Sequence, residues 1–296
     1  MSRIFFLLVA IFSLDSFATV ISDENQDLIY NILHYGKTGS LGLGYIFTKL
    51  QSEYFSNLFL AIVVAVPLAF FIHYKIIGPK IFSHDKKKLY LFTIFNRTIH
   101  AIAAFSFLLI IPTGLVMIFG SFFHGGAFVR ICQDIHVIVT PLFLISVIPM
   151  FLMWAKDMLF TNDDIKWMKI LGGYLSKEKK PIPAGKFNAG QKMWFWVCTL
   201  GGILMIITGA FLYFQDVPVG LLATLGLTKI AFLRICIIMH NVLGMMVTAL
   251  FITHVYMSMF AIKGAVHSII TGYKEEEELE ILHSSFYKEL KDNKKI

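Results

Sequence analysis

The chain has 296 residues, of which 57% are apolar and only 15% are charged, and its formal net charge is +7. So few charged side chains exclude an ordinary water-soluble domain, and the composition predicts an integral membrane protein. Membrane topology accounts for the excess of positive charge, which therefore gives no indication of nucleic-acid binding.

The first apolar stretch, Ile4–Phe12, is too short to span a bilayer. It follows Arg3 and precedes the small residues of Ser16–Ala18, a pattern typical of a secretory signal peptide. We therefore predict a signal peptide over residues 1–18. An uncleaved anchor is the alternative, which Asp15 favours. Residues 19–56 are more polar and are predicted to form an external N-terminal segment.

Five later stretches are apolar enough to cross a bilayer, which needs about 20 residues per helix. They are Asn57–Phe71 with its extension to Tyr74, Thr98–Ile118, Ile135–Trp154, Trp194–Phe214 and Ile235–Ala261. We predict an all-α transmembrane helical bundle, in which an extra N-terminal helix over residues 57–78 precedes a four-helix core over residues 79–267. Residues 268–296 form a tail, whose Glu275–Glu278 run mixed with lysines predicts a solvated amphipathic helix or plain surface.

Lysine and arginine are enriched in cytoplasmic loops, so their distribution predicts the orientation. Six basic residues lie between the first and second spans, and eight lysines lie from Lys156 to Lys192. The other two loops have few charges. This pattern predicts a multi-pass protein of the bacterial inner membrane, with the N-terminus outside and the tail in the cytoplasm.

Four of the ten histidines, His100, His136, His240 and His254, are predicted to lie in spans, where an ionisable side chain indicates a function. In the predicted topology His100 lies near the inner surface and His136 near the outer surface. His240 and His254 lie on one span and are fourteen residues apart, about 21 Å, and on nearly the same helix face. Depth therefore pairs His100 with His254 and His136 with His240.

Imidazole is an axial ligand of haem iron, so two stacked histidine pairs predict two haems between the helices. A bare metal ion such as zinc would need further close ligands at each depth. Gly114 and Gly244 would leave room for a flat macrocycle or serve as ordinary helix-packing glycines. Three arginines near the ligands are expected either to pair with haem propionates or to extend to the membrane surface: Arg97, Arg130 and Arg234.

A loop over Pro181–Lys192 precedes the fourth span and contains the segment KFNAGQK at Lys186–Lys192. Together with Phe95–His100, which reads FNRTIH, and with the histidine pair of the last span, this loop resembles the cytochrome b (gamma) subunit of membrane-bound formate dehydrogenase. The resemblance extends from about Leu89 to His267, and the extra N-terminal span departs from it.

The resemblance implies two haems b, ligated by the same four histidines in the same pairs. It also implies a menaquinone or ubiquinone site near the inner haem, lined by residues that match Asn188, Gly190, Gln191 and His254. The implied role is that of a membrane electron-transfer subunit of a formate:quinone oxidoreductase. Its partners would be an iron–sulfur (beta) subunit and a molybdenum or tungsten catalytic (alpha) subunit on the outer side.

Two other functions fit the histidines. The chain could instead be the cytochrome b subunit of a hydrogenase or of another molybdenum oxidoreductase, which share the histidine pattern. A transporter whose histidines relay protons is a third possibility, which a test for bound haem would distinguish.

Overall fold

The structure, a computed structural model, describes residues 42–83, 87–215 and 219–293. The predicted signal peptide and residues 19–41 lie outside this range. The described helices are α1 (Leu43–Ile76), α2 (Ile94–Ile118), α3 (Gly126–Trp154), α4 (Asn162–Lys169), α5 (Ala189–Phe214), α6 (Val219–Thr224), α7 (Lys229–Ala261), α8 (His267–Thr271), α9 (Glu276–Leu282) and α10 (Ser284–Asp292).

Five of these helices, α1, α2, α3, α5 and α7, are long and apolar enough to cross a membrane. The predicted all-α membrane fold is therefore confirmed. Three helices contain π-helical segments: Leu50–Tyr54 in α1, Val197–Gly201 in α5 and Met257–Ala261 at the end of α7. The extra helix begins at Leu43, well before Asn57, so residues 43–56 of the predicted external segment are helical. Its first turns contain the apolar Tyr45, Ile46 and Phe47, which the mainly polar stretch at residues 48–53 separates from the apolar part of the helix.

The chain divides into two compact units. The smaller unit comprises residues 1–52 and 217–235, where the described part includes α6 and the Arg234 guanidinium 5.7 Å from the centre of the Phe47 ring. The larger unit comprises residues 53–216 and 236–296. It holds all four histidines of the predicted haem sites.

Capping boxes fix the start of two spans. At α2 the Asn96 amide N–H donates to Thr93 Oγ1 (3.2 Å) and the Thr93 amide N–H donates to Asn96 Oδ1 (3.0 Å). These reciprocal bonds satisfy amide donors that the first turn of a helix leaves without partners. Asn96 belongs to the FNRTIH segment, so the cap fixes the helix turn that leads to His100.

Small residues set how closely the helices approach. A Cβ atom on Gly202 of α5 would lie 2.8 Å from the Phe143 ring of α3, so only glycine allows this contact. A Cβ atom on Gly244 of α7 would lie 3.3 Å from Phe59 Cζ of α1. Gly244 therefore serves helix packing, which was one of its two predicted roles.

The extra helix α1 is joined to α7 near the end of both spans. The rings of Phe70 and Tyr256 stack with centres 4.3 Å apart. His73 Nδ1 lies 2.5 Å from the Tyr256 hydroxyl, and His73 Nε2 lies 2.8 Å from the Tyr174 carbonyl oxygen. Since the carbonyl can only accept, His73 donates from Nε2 and accepts the tyrosine proton at Nδ1.

The tail is folded against the loops and is not a solvated helix, which corrects the prediction from its charge pattern. Its first part forms strand β2 (Tyr273–Glu275), which pairs antiparallel with β1 (Lys88–Tyr90). Helices α9 and α10 follow, and Leu279, Leu282 and His283 are buried. The charge pattern was misleading because Leu279 packs against Leu89, and Leu282 packs against Ile182 and Ala184 of the loop before α5.

Candidate functional site

Two pairs of histidines face each other inside the larger unit. The rings of His100 on α2 and His254 on α7 have their centres 6.2 Å apart, with their planes inclined at 51°. The rings of His136 on α3 and His240 on α7 have their centres 6.4 Å apart, with their planes inclined at 55°. The structure therefore brings together the same two pairs that the depth argument predicts.

The two pairs lie at different levels of the bundle, and two helices give the same separation. On α7 the ligand candidates His240 and His254 are fourteen residues apart. On α2, Gly114 contacts His136 of the other pair and lies fourteen residues after His100. Fourteen residues of helix correspond to about 21 Å.

The ring separations fit a metal ion held between two imidazoles. A metal bonded to Nε2 at about 2.0 Å lies about 3 Å from the ring centre, so two ligands of one metal have ring centres about 6 Å apart. Among the residues that the structure describes, no group of three or more His, Cys, Asp or Glu side chains could hold a metal ion. Two facing imidazoles with no further ligands suit haem iron, whose other four ligands belong to the macrocycle.

Each ring of the His136–His240 pair forms a hydrogen bond with the hydroxyl of a threonine on a neighbouring helix. His136 Nδ1 lies 3.0 Å from the Ile110 carbonyl oxygen and 3.2 Å from Thr113 Oγ1 on α2. The carbonyl can only accept, so Nδ1 has the proton and the Nε2 lone pair is free for a metal.

The partner His240 has the matching arrangement with α5. Thr208 Oγ1 lies 3.1 Å from His240 Nδ1, while the hydroxyl proton is directed to the Leu204 carbonyl oxygen at 2.9 Å. The threonine oxygen is therefore the acceptor and His240 Nδ1 the donor. Such bonds fix the ring orientation and increase the basicity of the ligating nitrogen.

A glycine follows each of these threonines and lies against the same ring. A Cβ atom on Gly114 would lie 3.3 Å from His136 Cε1, and one on Gly209 would lie 3.3 Å from His240 Cε1. The two Thr-Gly dipeptides, Thr113–Gly114 and Thr208–Gly209, thus contact their histidines in the same way. The sequence singled out Gly114 but missed the other three residues, although the repeated dipeptide was a visible signal.

The His100–His254 pair has an aromatic neighbour. The Trp194 ring of α5 lies over His254 with centres 5.5 Å apart and planes inclined at 22°. Trp194 and Phe251 also contact Phe107, which is halfway along α2 between His100 and Gly114. An apolar aromatic cluster therefore occupies the part of the bundle between the two histidine levels.

The KFNAGQK segment forms the start of α5. The Gln191 amide N–H donates to Asn188 Oδ1 (3.0 Å), and the Asn188 amide N–H donates to Gln191 Oε1 (2.9 Å). Gly190 lies under the Trp167 ring, where a Cβ atom would be 3.2 Å from Cη2. The cap uses the two side-chain oxygens, so the amide NH₂ groups of Asn188 and Gln191 are the donors that it leaves for other partners.

The same segment contains a buried ion pair. Lys192 Nζ lies 2.7 Å from Asp164 Oδ2 and donates to the Leu159 carbonyl oxygen at 2.9 Å. Both side chains are at most 3% exposed. Breaking such a pair leaves an isolated buried charge, so these residues fix the loop and were not recognised from the sequence.

The arginines near the histidines differ in their surroundings. Arg97 Nη1 donates to the Ile270 carbonyl oxygen beside the tail, and Arg130 is exposed. The structure thus gives Arg97 a structural partner and gives Arg130 no described contact with a histidine site. Arg234 belongs to the smaller unit.

Comparison with known proteins agrees with these observations. The sequence profile of the prokaryotic cytochrome b561 family matches residues 91–272, which is more than half of the chain and includes all four histidines. The extra helix α1 and most of the tail lie outside this match.

Several curated relatives are cytochrome subunits. The chain is 26% identical over 161 residues to the formate dehydrogenase cytochrome b556 subunit of Haemophilus influenzae, which is 54% of this chain and 64% of that protein. It is 23% identical over 202 residues to the formate dehydrogenase cytochrome b556(fdo) subunit of Escherichia coli K12, covering 66% of this chain and 90% of that protein. The nitrate-inducible cytochrome b556(Fdn) subunit of the same strain is 26% identical over 146 residues, or 48% of this chain and 62% of that protein.

The alignment with the first of these relatives spans just under two thirds of its length. The resemblance to cytochrome b subunits of formate dehydrogenase is nevertheless confirmed, and these relatives do not favour the hydrogenase alternative. The extent of the profile match, together with two histidine pairs spaced for haem iron, shows that this chain belongs to the prokaryotic cytochrome b561 family.

Proposed function

We propose that the chain is the di-haem cytochrome b subunit of a formate dehydrogenase complex in the bacterial inner membrane. It would pass electrons from an iron–sulfur subunit on the outer side through two haems b to a quinone reduced near the cytoplasmic side. The formate chemistry would belong to a molybdenum or tungsten catalytic subunit. The observation on which the proposal depends is the pair of facing histidines at each of two levels.

The orientation in this proposal comes from the distribution of basic residues. With the lysine-rich segments on the cytoplasmic side, His100 and His254 form the inner pair and His136 and His240 the outer pair. The haems would supply reversible one-electron transfer. The chain would supply the four ligands, the hydrogen bonds to the His136–His240 pair and the aromatic cluster between the two sites.

The start of α5 is the proposed quinone site. Trp194 lies one turn after Gly190 and Gln191 and stacks on His254, so the loop and the inner pair are joined by one helix. The amide NH₂ groups of Asn188 and Gln191 would donate to the quinone oxygens, and Gly190 would hold this turn close to the Trp167 ring. Protons would enter from the cytoplasmic side, so that the electron transfer would separate charge across the membrane.

Haem stoichiometry in single-histidine variants tests the two-haem arrangement. The purified wild-type chain should contain two haems b, and His136→Ala or His240→Ala should each remove one, since an imidazole pair with one member missing no longer ligates the iron on both sides. His100→Ala and His254→Ala should each remove the other. His267→Ala is the matched control, because His267 is exposed and outside both pairs.

Pyridine haemochrome analysis with redox titration distinguishes the two haems. Full haem content in both His136→Ala and His254→Ala would contradict the proposal. The partner is tested separately by purifying the tagged chain from membranes and adding formate. Reduction of the haem absorbance by formate supports a formate dehydrogenase, whereas reduction by hydrogen alone would assign the chain to a hydrogenase.

A further inference from the structure

A cavity of about 610 Å³ lies where α1 ends. It is lined by the chain from Ile77 to Ser83, by Ser176, Lys177 and Lys179, and by Glu277 of α9. The residues before position 91 and after position 272 lie outside the match to the cytochrome b561 profile. The cavity therefore lies between the loop at residues 176–179, which is inside the match, and two segments outside it, the end of the extra helix and the tail.

The lining has more positive than negative charge, with three lysines and one carboxylate. Lys80 is only 7% exposed, and its ammonium donates to the carbonyl oxygens of Ser176 (3.1 Å) and Glu178 (3.0 Å). These neutral acceptors use two of its three donors and do not neutralise its charge. Burial and the nearby Lys179 ammonium lower the pKa of Lys80, because both disfavour its charged form.

The carboxylate of Glu277 already has a positive partner and an amide donor. Its Oε1 lies 3.1 Å from Lys179 Nζ, and its Oε2 accepts from the Ser83 amide N–H at 2.5 Å. The one carboxylate of the lining is therefore already ion-paired with Lys179. Lys80 and Lys177 leave the cavity with a surplus of positive charge.

The cavity lies at the level where two spans end. The Lys80 amide N–H donates to the carbonyl oxygen of Ala261, the last residue of α7, at 2.8 Å, and the Lys263 amide N–H donates to the Lys80 carbonyl oxygen at 2.9 Å. The last turns of α1 above it expose apolar side chains, with Phe71 59% and Ile76 63% exposed. A basic cavity thus adjoins an apolar helix surface at the expected boundary of the bilayer.

We propose that this cavity binds the phosphate of an anionic glycerophospholipid, whose acyl chains lie along the exposed side of α1. Basic pockets at the cytoplasmic ends of transmembrane helices bind anionic headgroups because ammonium groups form strong, charge-assisted bonds to phosphate oxygens. A zwitterionic headgroup brings its own cation and would not offset the surplus. A free phosphate ion would leave the apolar side of α1 unused.

Lipid retention by the purified full-length chain tests this site, independently of its haems. Native mass spectrometry should detect phosphatidylglycerol bound at least about tenfold more tightly than phosphatidylcholine. The double variant Lys177→Gln/Lys179→Gln should lose most of this preference. The control Lys166→Gln/Lys169→Gln should keep it. This control likewise removes one ion-paired lysine, Lys166 with Asp163 at 3.1 Å, and a neighbouring lysine, but both lie on α4, outside the cavity lining.

Three outcomes would overturn the proposal: equal binding of the two lipids, unchanged preference in the Lys177→Gln/Lys179→Gln variant, or equal loss in the control. Glycerol 3-phosphate and inorganic phosphate are tested as competitors. Displacement of the lipid by either at a similar concentration would assign the cavity to a free phosphate. Lys177→Gln alone, at an exposed position, should reduce the preference several-fold and serves if the double variant does not fold.

Discussion

In the His136–His240 pair, both rings donate a hydrogen bond from Nδ1 to a threonine of a neighbouring helix. In the His100–His254 pair, the Trp194 ring instead stacks on His254. The first pair is thus held by polar bonds inside an apolar bundle. The second adjoins the helix start and loop where the proposed quinone site lies. Two sites with similar ring separations can therefore be adjusted by different chemistry, hydrogen bonding in one and aromatic packing in the other.

The largest effect is expected from a substitution at a glycine of the Thr-Gly dipeptides. Gly209→Val should displace the His240 ring, because even a Cβ atom would lie 3.3 Å from Cε1. We expect loss of about half of the bound haem, through overpacking at one site only. Haem content per chain is the measurement.

Gly244→Val is the matched control, since its Cβ atom would also lie 3.3 Å from a ring atom, Phe59 Cζ of α1. It should weaken the attachment of the extra helix while both haems are kept. If the two glycine variants lose haem equally, Gly209 has no specific relation to His240.

Trp194→Ala addresses the second pair. Truncating a packed tryptophan costs about 3 kcal/mol, and the space left beside His254 should loosen that ring. We expect an altered electron paramagnetic resonance signal of the inner haem and an unchanged signal of the outer haem. Trp196→Ala, on the same helix but bonded to the Met158 carbonyl oxygen, is the control and should leave both signals in place.

The docking of the tail on the loop before α5 should depend on pH through His283. His283 is buried, with Nδ1 donating to the Gly185 carbonyl oxygen (2.8 Å) and Nε2 3.2 Å from Lys274 Nζ. Burial, together with the Lys274 charge and against the effect of the Gly185 bond, lowers the pKa of His283 to about 3. The unfolded tail then binds more protons between pH 6.5 and 3, so its docking weakens as the pH falls through this window.

The expected loss of docking free energy at pH 5 is about 2 kcal/mol. Hydrogen exchange of residues 279–287 at pH 7.5 and pH 5 measures it. His283→Gln should flatten the difference, because glutamine keeps both the donor and the acceptor without titrating. Equal pH dependence in the variant would assign the effect to the nearby carboxylates, such as Glu278.

The smallest expected effect comes from the threonines. Thr208→Val keeps the shape of the side chain but removes the acceptor of the His240 Nδ1–H, which is worth about 1 kcal/mol, or about 40 mV in the potential of a one-electron couple. We expect a higher midpoint potential for the outer haem, because a less basic imidazole stabilises the oxidised iron less.

Thr208→Ser should restore the wild-type potential. Thr199→Val, at a buried threonine of α5 that donates to the Phe195 carbonyl oxygen, should leave both potentials unchanged. A shift of the inner haem in the Thr208→Val variant would contradict the assignment of Thr208 to the outer pair.

Hydropathy alone determined the number of spans, since each is an apolar segment long enough to cross a bilayer. Helical spacing determined that His240 and His254 lie on nearly the same helix face at two levels. The sequence also determined the pairing, because depth within a bilayer follows from position along a span. These features depend on local composition and on distance along one helix.

The neighbours of the rings were decided by the tertiary structure. Thr208, Gly209 and Trp194 contact histidines of another helix, and nothing in their own segments indicates which ring they face. Gly244 could have bordered a haem, but the extra helix placed Phe59 against it. The charge pattern of the tail predicted a solvated segment, but the tail bonds to the loop at Ile182–Gly185, and its Leu282 packs against that loop. Periodicity shows which residues share a helix face, while contacts between distant segments depend on how the whole chain packs.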